Sequence, residues 1–213
     1  MDWLGQVTIS AIVSSIISIG LFSVVLSKLK SGLAVKNNGI KKVYKYGKNI
    51  RAIEKAIENA KEVSQLAYNS HGFIENYKSI LKKSMDNGCM YRFLMGNPKS
   101  IHLTGASSIV TGYDNHFADK VNLSVDLLKS MRETSSSARE CVEVKFYNVK
   151  ICNPVTIIKD KNDKVKAFLT ILMPPKISRD CMMLEFEGED CDDIVSYFNH
   201  IWSRIDNEII YKK

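Results

Sequence analysis

The sequence is short of most features that announce a chemistry. It has no C-x-x-C pair, and its five cysteines, Cys89, Cys141, Cys152, Cys181 and Cys191, are odd in number. That excludes a simple disulfide framework and a zinc knuckle, and fits small buried thiols in a reducing compartment. There are four histidines, His71, His102, His116 and His200, and no two have metal-ligand spacing. Gly105 and Gly112 fit neither G-x-G-x-x-G nor a P-loop. No cofactor or metal is expected. Basic and aromatic residues do not interleave as base-stacking surfaces require, so specific nucleic-acid binding is not expected either. No internal repeat or low-complexity tract is present.

Charge is missing in one place above all. From Leu4 to Ser27 no residue is ionisable. A run of ~20 apolar residues spans the hydrocarbon core of a bilayer, so this segment predicts a transmembrane helix. Nothing basic precedes it, and Lys28 and Lys30 come directly after it, which argues against a cleaved signal peptide. Trp3 stands where an interfacial aromatic would lie. The positive flank, from Lys28 through Lys36, Lys41, Lys42, Lys45, Lys48 and Arg51, places the C-terminal domain on the cytoplasmic side of the inner membrane, with the N-terminus outside. Ala11 with Ser15 and Ser14 with Ser18 have the small-xxx-small spacing that permits helix pairing. Residues 1–30 thus read as an anchor, 31–38 as a linker and 39–213 as one domain.

What is present is a basic, moderately hydrophobic chain. Thirty Lys+Arg against 23 Asp+Glu give a net charge of +7, which suits an acidic partner such as anionic lipid, nucleotide or nucleic acid. Periodicity predicts a strand over 39–44, a helix over 50–62, a strand over 63–68 and a helix over 72–86 capped by Asn69-Ser70. Next come a strand over 89–95, a loop over 99–112 and a helix over 114–133. Strands are predicted over 142–147, 155–159, 165–172 and 182–187, with a hairpin at Lys161-Asn162-Asp163, and a last helix over 192–210. Strand–helix–strand at these lengths implies a parallel βαβ unit. The fold class is α/β, a mixed sheet between helices.

The segment from Ala52 to Ser100, with the closing part from Val142 to Ile205, resembles a phospholipase D-like domain in the order of its pieces. The Asn97-Pro98-Lys99-Ser100 strand end and the Phe198-x-x-x-Trp202 pairing are part of the likeness. The resemblance implies a two-copy pocket built from strand ends, and hence a homodimer. It also implies a His-x-Lys-x4-Asp motif, in which His attacks phosphorus and Lys neutralises the phosphoryl oxygens. The matching segment here begins at Asn153, has Val155 in place of Lys, and keeps only Asp160. An amide is no such nucleophile and Val carries no charge, so the resemblance implies an inactive copy. It implies a signalling or binding module that takes a phosphate-bearing ligand, a nucleotide or lipid headgroup. Asn69, Ser70, His71, Asn97, Lys99, Ser100 and Asn153 would line its pocket. By analogy, such anchored modules serve in bacterial stress or phage defence.

Two alternatives stand beside this reading. One is an active phosphodiesterase or phospholipase using a displaced histidine, His71 or His102. The other is an adaptor that docks a protein partner through an apolar patch. Glu185 and Glu187 share a strand face and read as solvated or as a cation site; His200 reads as a structural residue beside the core of the last helix.

Overall fold

The computed structural model describes residues 39–44, 50–100, 103, 116–134, 141–148, 153–171 and 181–205. The chain divides into a unit of residues 1–40 and a unit Lys41–Lys213. Only Gly39 and Ile40 of the first are described. The expected anchor at 4–27, the linker and His102 lie outside the described residues. Among those described, no helix is long and apolar enough to cross a membrane.

The second unit is a mixed α/β fold. In chain order the elements are β1 (Ile40–Tyr44), α1 (Ile50–Glu58), β2 (Ala60–Ala67), α2 (His71–Asp86), β3 (Met90–Gly96), α3 (Phe117–Glu133), β4 (Val142–Tyr147), β5 (Val155–Asp160), β6 (Val165–Ile171), β7 (Met182–Glu187), a 3₁₀ turn (Gly188–Cys191) and α4 (Asp192–Arg204). One seven-stranded sheet runs β1-β7-β6-β5-β2-β3-β4. β2, β3 and β4 are parallel neighbours, whereas β5 is antiparallel to both β2 and β6, and β6 to β7. The expected parallel βαβ unit is therefore β2–α2–β3.

Strand side chains alternate between the two faces of the sheet, and the central strands bury both, as in the buried run Phe93 to Gly96 of β3. On β3, Tyr91 and Phe93 meet α2: Phe73 lies 6.3 Å from Phe93 between ring centroids, and Ser84 hydrogen-bonds the Tyr91 hydroxyl. Arg92, between them, points to the other face and stacks on Phe198 and Trp202 of α4, 5.1 and 5.6 Å from the ring centroids. The core includes the fully buried Tyr91, Phe93, Phe117, Tyr147, Phe168 and Phe198.

Three expectations need correction. The helix expected over 50–62 stops at Glu58. Residues 60–62 join β2 instead, because Ala60 pairs with Asp160 and Glu62 with both Lys159 and Met90. Sheet pairing overrides their helical pattern. His200, expected to be structural beside the core positions of the last helix, is exposed. Glu185 is buried rather than solvated: it accepts from the Tyr44 hydroxyl at 2.5 Å and from Lys166 at 3.2 Å, and Lys166 also binds Glu187. The four described cysteines, Cys89, Cys141, Cys181 and Cys191, are buried. Burial pushes the Cys89 thiol up to about 12 and that of Cys191 to about 11, as expected of inert thiols.

Candidate functional site

Sheet topology brings the sequence-derived site residues to one end of the sheet. β2 and β3 run parallel and β5 runs against β2, with Leu66 opposite Val155. The carboxyl ends of β2 and β3 therefore meet the amino end of β5. Asn69, Ser70 and His71 leave β2; Asn97, Lys99 and Ser100 leave β3; Asn153 enters β5. Backbone bonds knit this end together. Gly96 N–H donates to the Tyr68 carbonyl at 3.0 Å, and Asn97 N–H to that of Tyr147 at 2.8 Å.

The seven residues do not play equal parts. Asn69 Oδ1 accepts the His71 N–H at 3.0 Å, and Asn97 Oδ1 accepts the Lys99 N–H at 2.9 Å. Both are turn builders. The His71 N–H is thus engaged. Ser70 occupies the N-cap of α2 but its hydroxyl makes no cap bond. Its backbone is left-handed, at φ 54 and ψ −3, a conformation costly for a residue with a Cβ. The helix begins when Ile74 N–H donates to the Ser70 carbonyl at 2.9 Å. Ser70 is 4% exposed, and among the described residues neither its Oγ nor the buried His71 Nδ1 has a hydrogen-bond partner. Lys99 is exposed in the Asn97 turn, and Asn153 is half-buried.

Two further residues escape sequence reasoning. Gln65 and Tyr147 are both buried, and Gln65 Oε1 and the Tyr147 hydroxyl also lack partners among the described residues. Gln65 sits opposite the buried Thr156 across the β2–β5 pair. Tyr147 is opposite Gly96 at the end of β4. Burial, with Tyr68 and Tyr197 adding to it, holds the Tyr147 hydroxyl well above its ordinary range, so it stays a protonated donor. The only sequence signal was a Gln beside Val63, Leu66 and Ala67 in β2. Gly96 lets the roof close over this end. A Cβ there would lie 2.7 Å from Phe117 Cζ, 3.0 Å from Leu103 Cδ1 and 3.1 Å from the Tyr68 carbonyl oxygen.

The three motif positions do not converge. Val155 is 3% exposed and pairs with Leu66 and Leu169 inside the sheet. Asp160, at the far end of β5, accepts the N–H groups of Asn162 and Lys164 at 2.8 and 2.9 Å and closes the hairpin. His116, exposed at the start of α3, lies 3.6 Å from Asp119 and belongs to no cluster.

No family model matches the chain, and no curated protein matches it. Among solved structures it is similar to TrmBL2, an archaeal chromatin protein described with a novel mode of DNA binding. The TM-score is 0.48 at 13% identity, over 94% of this chain and 66% of that one. It is also similar to Nuc, a phospholipase D family member from Salmonella typhimurium, with a TM-score of 0.44 at 9% identity, over 80% of this chain and 95% of that one.

Proposed function

We propose that this sheet end binds a phosphate-bearing ligand, and that the protein is a phospholipase D-like binding module without the family's catalysis. One observation carries the reading. Ser70 Oγ and His71 Nδ1 are adjacent, buried and without partners among the described residues, at the opening of the 16-residue helix α2. Buried polar atoms are nearly always paired, so this pair calls for a partner. The positive end of a helix sets that partner's sign, and phosphate offers several acceptor oxygens at once. Ser70 Oγ donates to one of them, the His71 Nδ1–H to another, and the Gly72 and Phe73 N–H groups, which no cap side chain takes, to a third.

Catalysis by the family route is left out of the proposal because Asn153 and Val155 supply neither nucleophile nor cation. In this reading residues 4–27 anchor the module in a membrane with the domain on the cytoplasmic side, and the working form is a homodimer.

The test is calorimetric titration of the full chain in detergent with inorganic phosphate, ATP and glycerol 3-phosphate, beside turnover of an aryl phosphodiester. The expected result is saturable binding, weakened at least tenfold by His71→Ala, with no turnover. Unchanged binding in His71→Ala would sink the site. Turnover abolished by His71→Ala or His102→Ala would put the phosphodiesterase reading in its place.

A further inference from the structure

A second groove, of about 1290 Å³, lies away from the α2 opening, between α1, β1 and the β5–β6 hairpin. Its lining mixes acids and bases, yet they are not equivalent. Most of the acids are engaged within the fold. Glu185 and Glu187 hold Lys166, and Glu187 also faces Lys41 at 3.7 Å. Asp163 takes Lys61 at 2.5 Å and Lys159 at 2.8 Å. One carboxylate oxygen of Asp160 takes two backbone N–H groups. Glu189 and Asp192 stand apart, in the 3₁₀ turn and the first residue of α4.

Of the bases on the wall, Lys41 and Lys166 are tied in this way, and Lys42, Arg51, Lys55 and Lys164 are not. Arg51 and Lys55 are one helical turn apart on α1, whose opposite side buries Ile53 and Ile57. Lys164 faces the groove from the hairpin, and Lys42 from β1, its ammonium 4.9 Å from the centre of the Tyr44 ring. All four are exposed, and among the described residues none has a carboxylate partner. Beside its ion pairs and the two acids Glu189 and Asp192, the groove thus carries a rim of four exposed cations, Lys42, Arg51, Lys55 and Lys164.

We infer that this rim seats anionic lipid headgroups, so that the domain rests on the membrane through α1, β1 and the hairpin. Sequence continuity favours lipid over a soluble anion. Lys42, Arg51 and Lys55 continue a stretch from Lys28 that holds nine basic residues and a single acid, Glu54, and that directly adjoins the uncharged run at 4–27. Basic clusters next to an apolar segment are drawn to the anionic leaflet surface, and the attraction decays within a Debye length. Lys164 arrives from far along the chain, which a mere orientation signal has no need of. The inference rests on the anchor reading of residues 4–27 and is independent of the ligand proposed at α2.

The experiment is amide hydrogen exchange of the full chain reconstituted into phosphatidylcholine vesicles with and without phosphatidylserine. Exchange in α1 is expected to slow several-fold when phosphatidylserine is present, and the difference to vanish at high salt and in Arg51→Glu/Lys55→Glu/Lys164→Glu. Alkaline extraction of the same vesicles separates the two readings. A chain that washes off overturns the anchor and this inference together. A chain that stays while α1 ignores phosphatidylserine overturns this inference alone. Equal protection by inorganic phosphate or by an oligonucleotide in pure phosphatidylcholine overturns the lipid assignment.

Discussion

Lys145 on β4 donates from Nζ to the main-chain carbonyl of Trp202 at 2.9 Å, and the same ammonium lies 4.8 Å from the centre of the Trp202 ring. One buried cation thus ties α4 to the sheet twice over. Arg92 repeats the device on β3. Its Nε donates to Ser64 Oγ at 3.0 Å, it pairs with Glu62, and it reaches Asn199 at 3.2 Å. Trp202→Ala removes the ring from both cations and should cost roughly 2–4 kcal/mol in urea unfolding. Lys145→Met should cost less than about 1 kcal/mol, because losing a buried charge offsets the lost bond. A Lys145→Met variant as unstable as Trp202→Ala would show that the ion, not the ring, holds α4.

Installing the phospholipase D-like motif that the sequence resembles should break the fold. Val155 is buried between Leu66 and Leu169, so Val155→Lys places an ammonium in the sheet without a counter-ion. The expected loss is roughly 3 kcal/mol or more. Asn153→His, at a half-buried position before the strand, should fold normally. Denaturant curves of the two variants check this, and a stable Val155→Lys would mean that the side chain finds an outlet to solvent.

The β5–β6 hairpin should carry an acid-sensitive contact. Lys159 first, and then Lys61, hold the Asp163 carboxyl down from its ordinary 3.8 to about 2. A folded value below the unfolded one means the contribution is complete above about pH 4 and is lost as pH falls through about 2. Asp163 is also left-handed, at φ 64, which Asn tolerates well. Asp163→Asn should therefore keep the turn and lose only the charge. The gap in unfolding midpoint between wild type and variant should close as pH drops from neutrality to 2. A gap that does not change with pH would assign the difference to hydrogen bonding, not to ionisation.

These contacts also show what local pattern can and cannot reveal. Strand and helix periods are short-range, and the positions of β3, β4, β7 and α2 emerge from them within a residue or two. The end of α1 does not, because Ala60-Lys61-Glu62 is helix-compatible until β5 offers a pairing edge. The insertion of β5 beside β2 has no local signature, although it is what brings Asn153 to the end shared by Ser70 and Asn97. His200 fits the helical stripe of α4 yet faces solvent, since α4 buries a narrow seam centred on Phe198. Side-chain satisfaction is the least legible of all. Nothing in the letters distinguishes Asn69, whose oxygen closes a turn, from Ser70, whose oxygen has no such role.

Ser70 gives the sharpest test, because its effects on stability and on binding should have opposite signs. Its left-handed backbone costs about 1–2 kcal/mol for a residue with a Cβ. Its buried hydroxyl, without a partner among the described residues, adds about 1–3 kcal/mol wherever water does not serve it. Ser70→Gly relieves both terms, against about 0.5–1 kcal/mol for the greater freedom of glycine in the unfolded chain. The net expectation is a variant about 1–4 kcal/mol more stable in urea, since the relieved terms exceed the entropy term. The same variant loses the hydroxyl that the proposed phosphate requires, so its affinity for phosphate-bearing ligands should fall several-fold. Stability sacrificed at a binding site is a familiar trade. If Ser70→Gly instead destabilises the protein, the hydroxyl serves the fold, and the strained turn no longer argues for a ligand. If it stabilises and binding is untouched, the phosphate sits elsewhere than on the opening turn of α2.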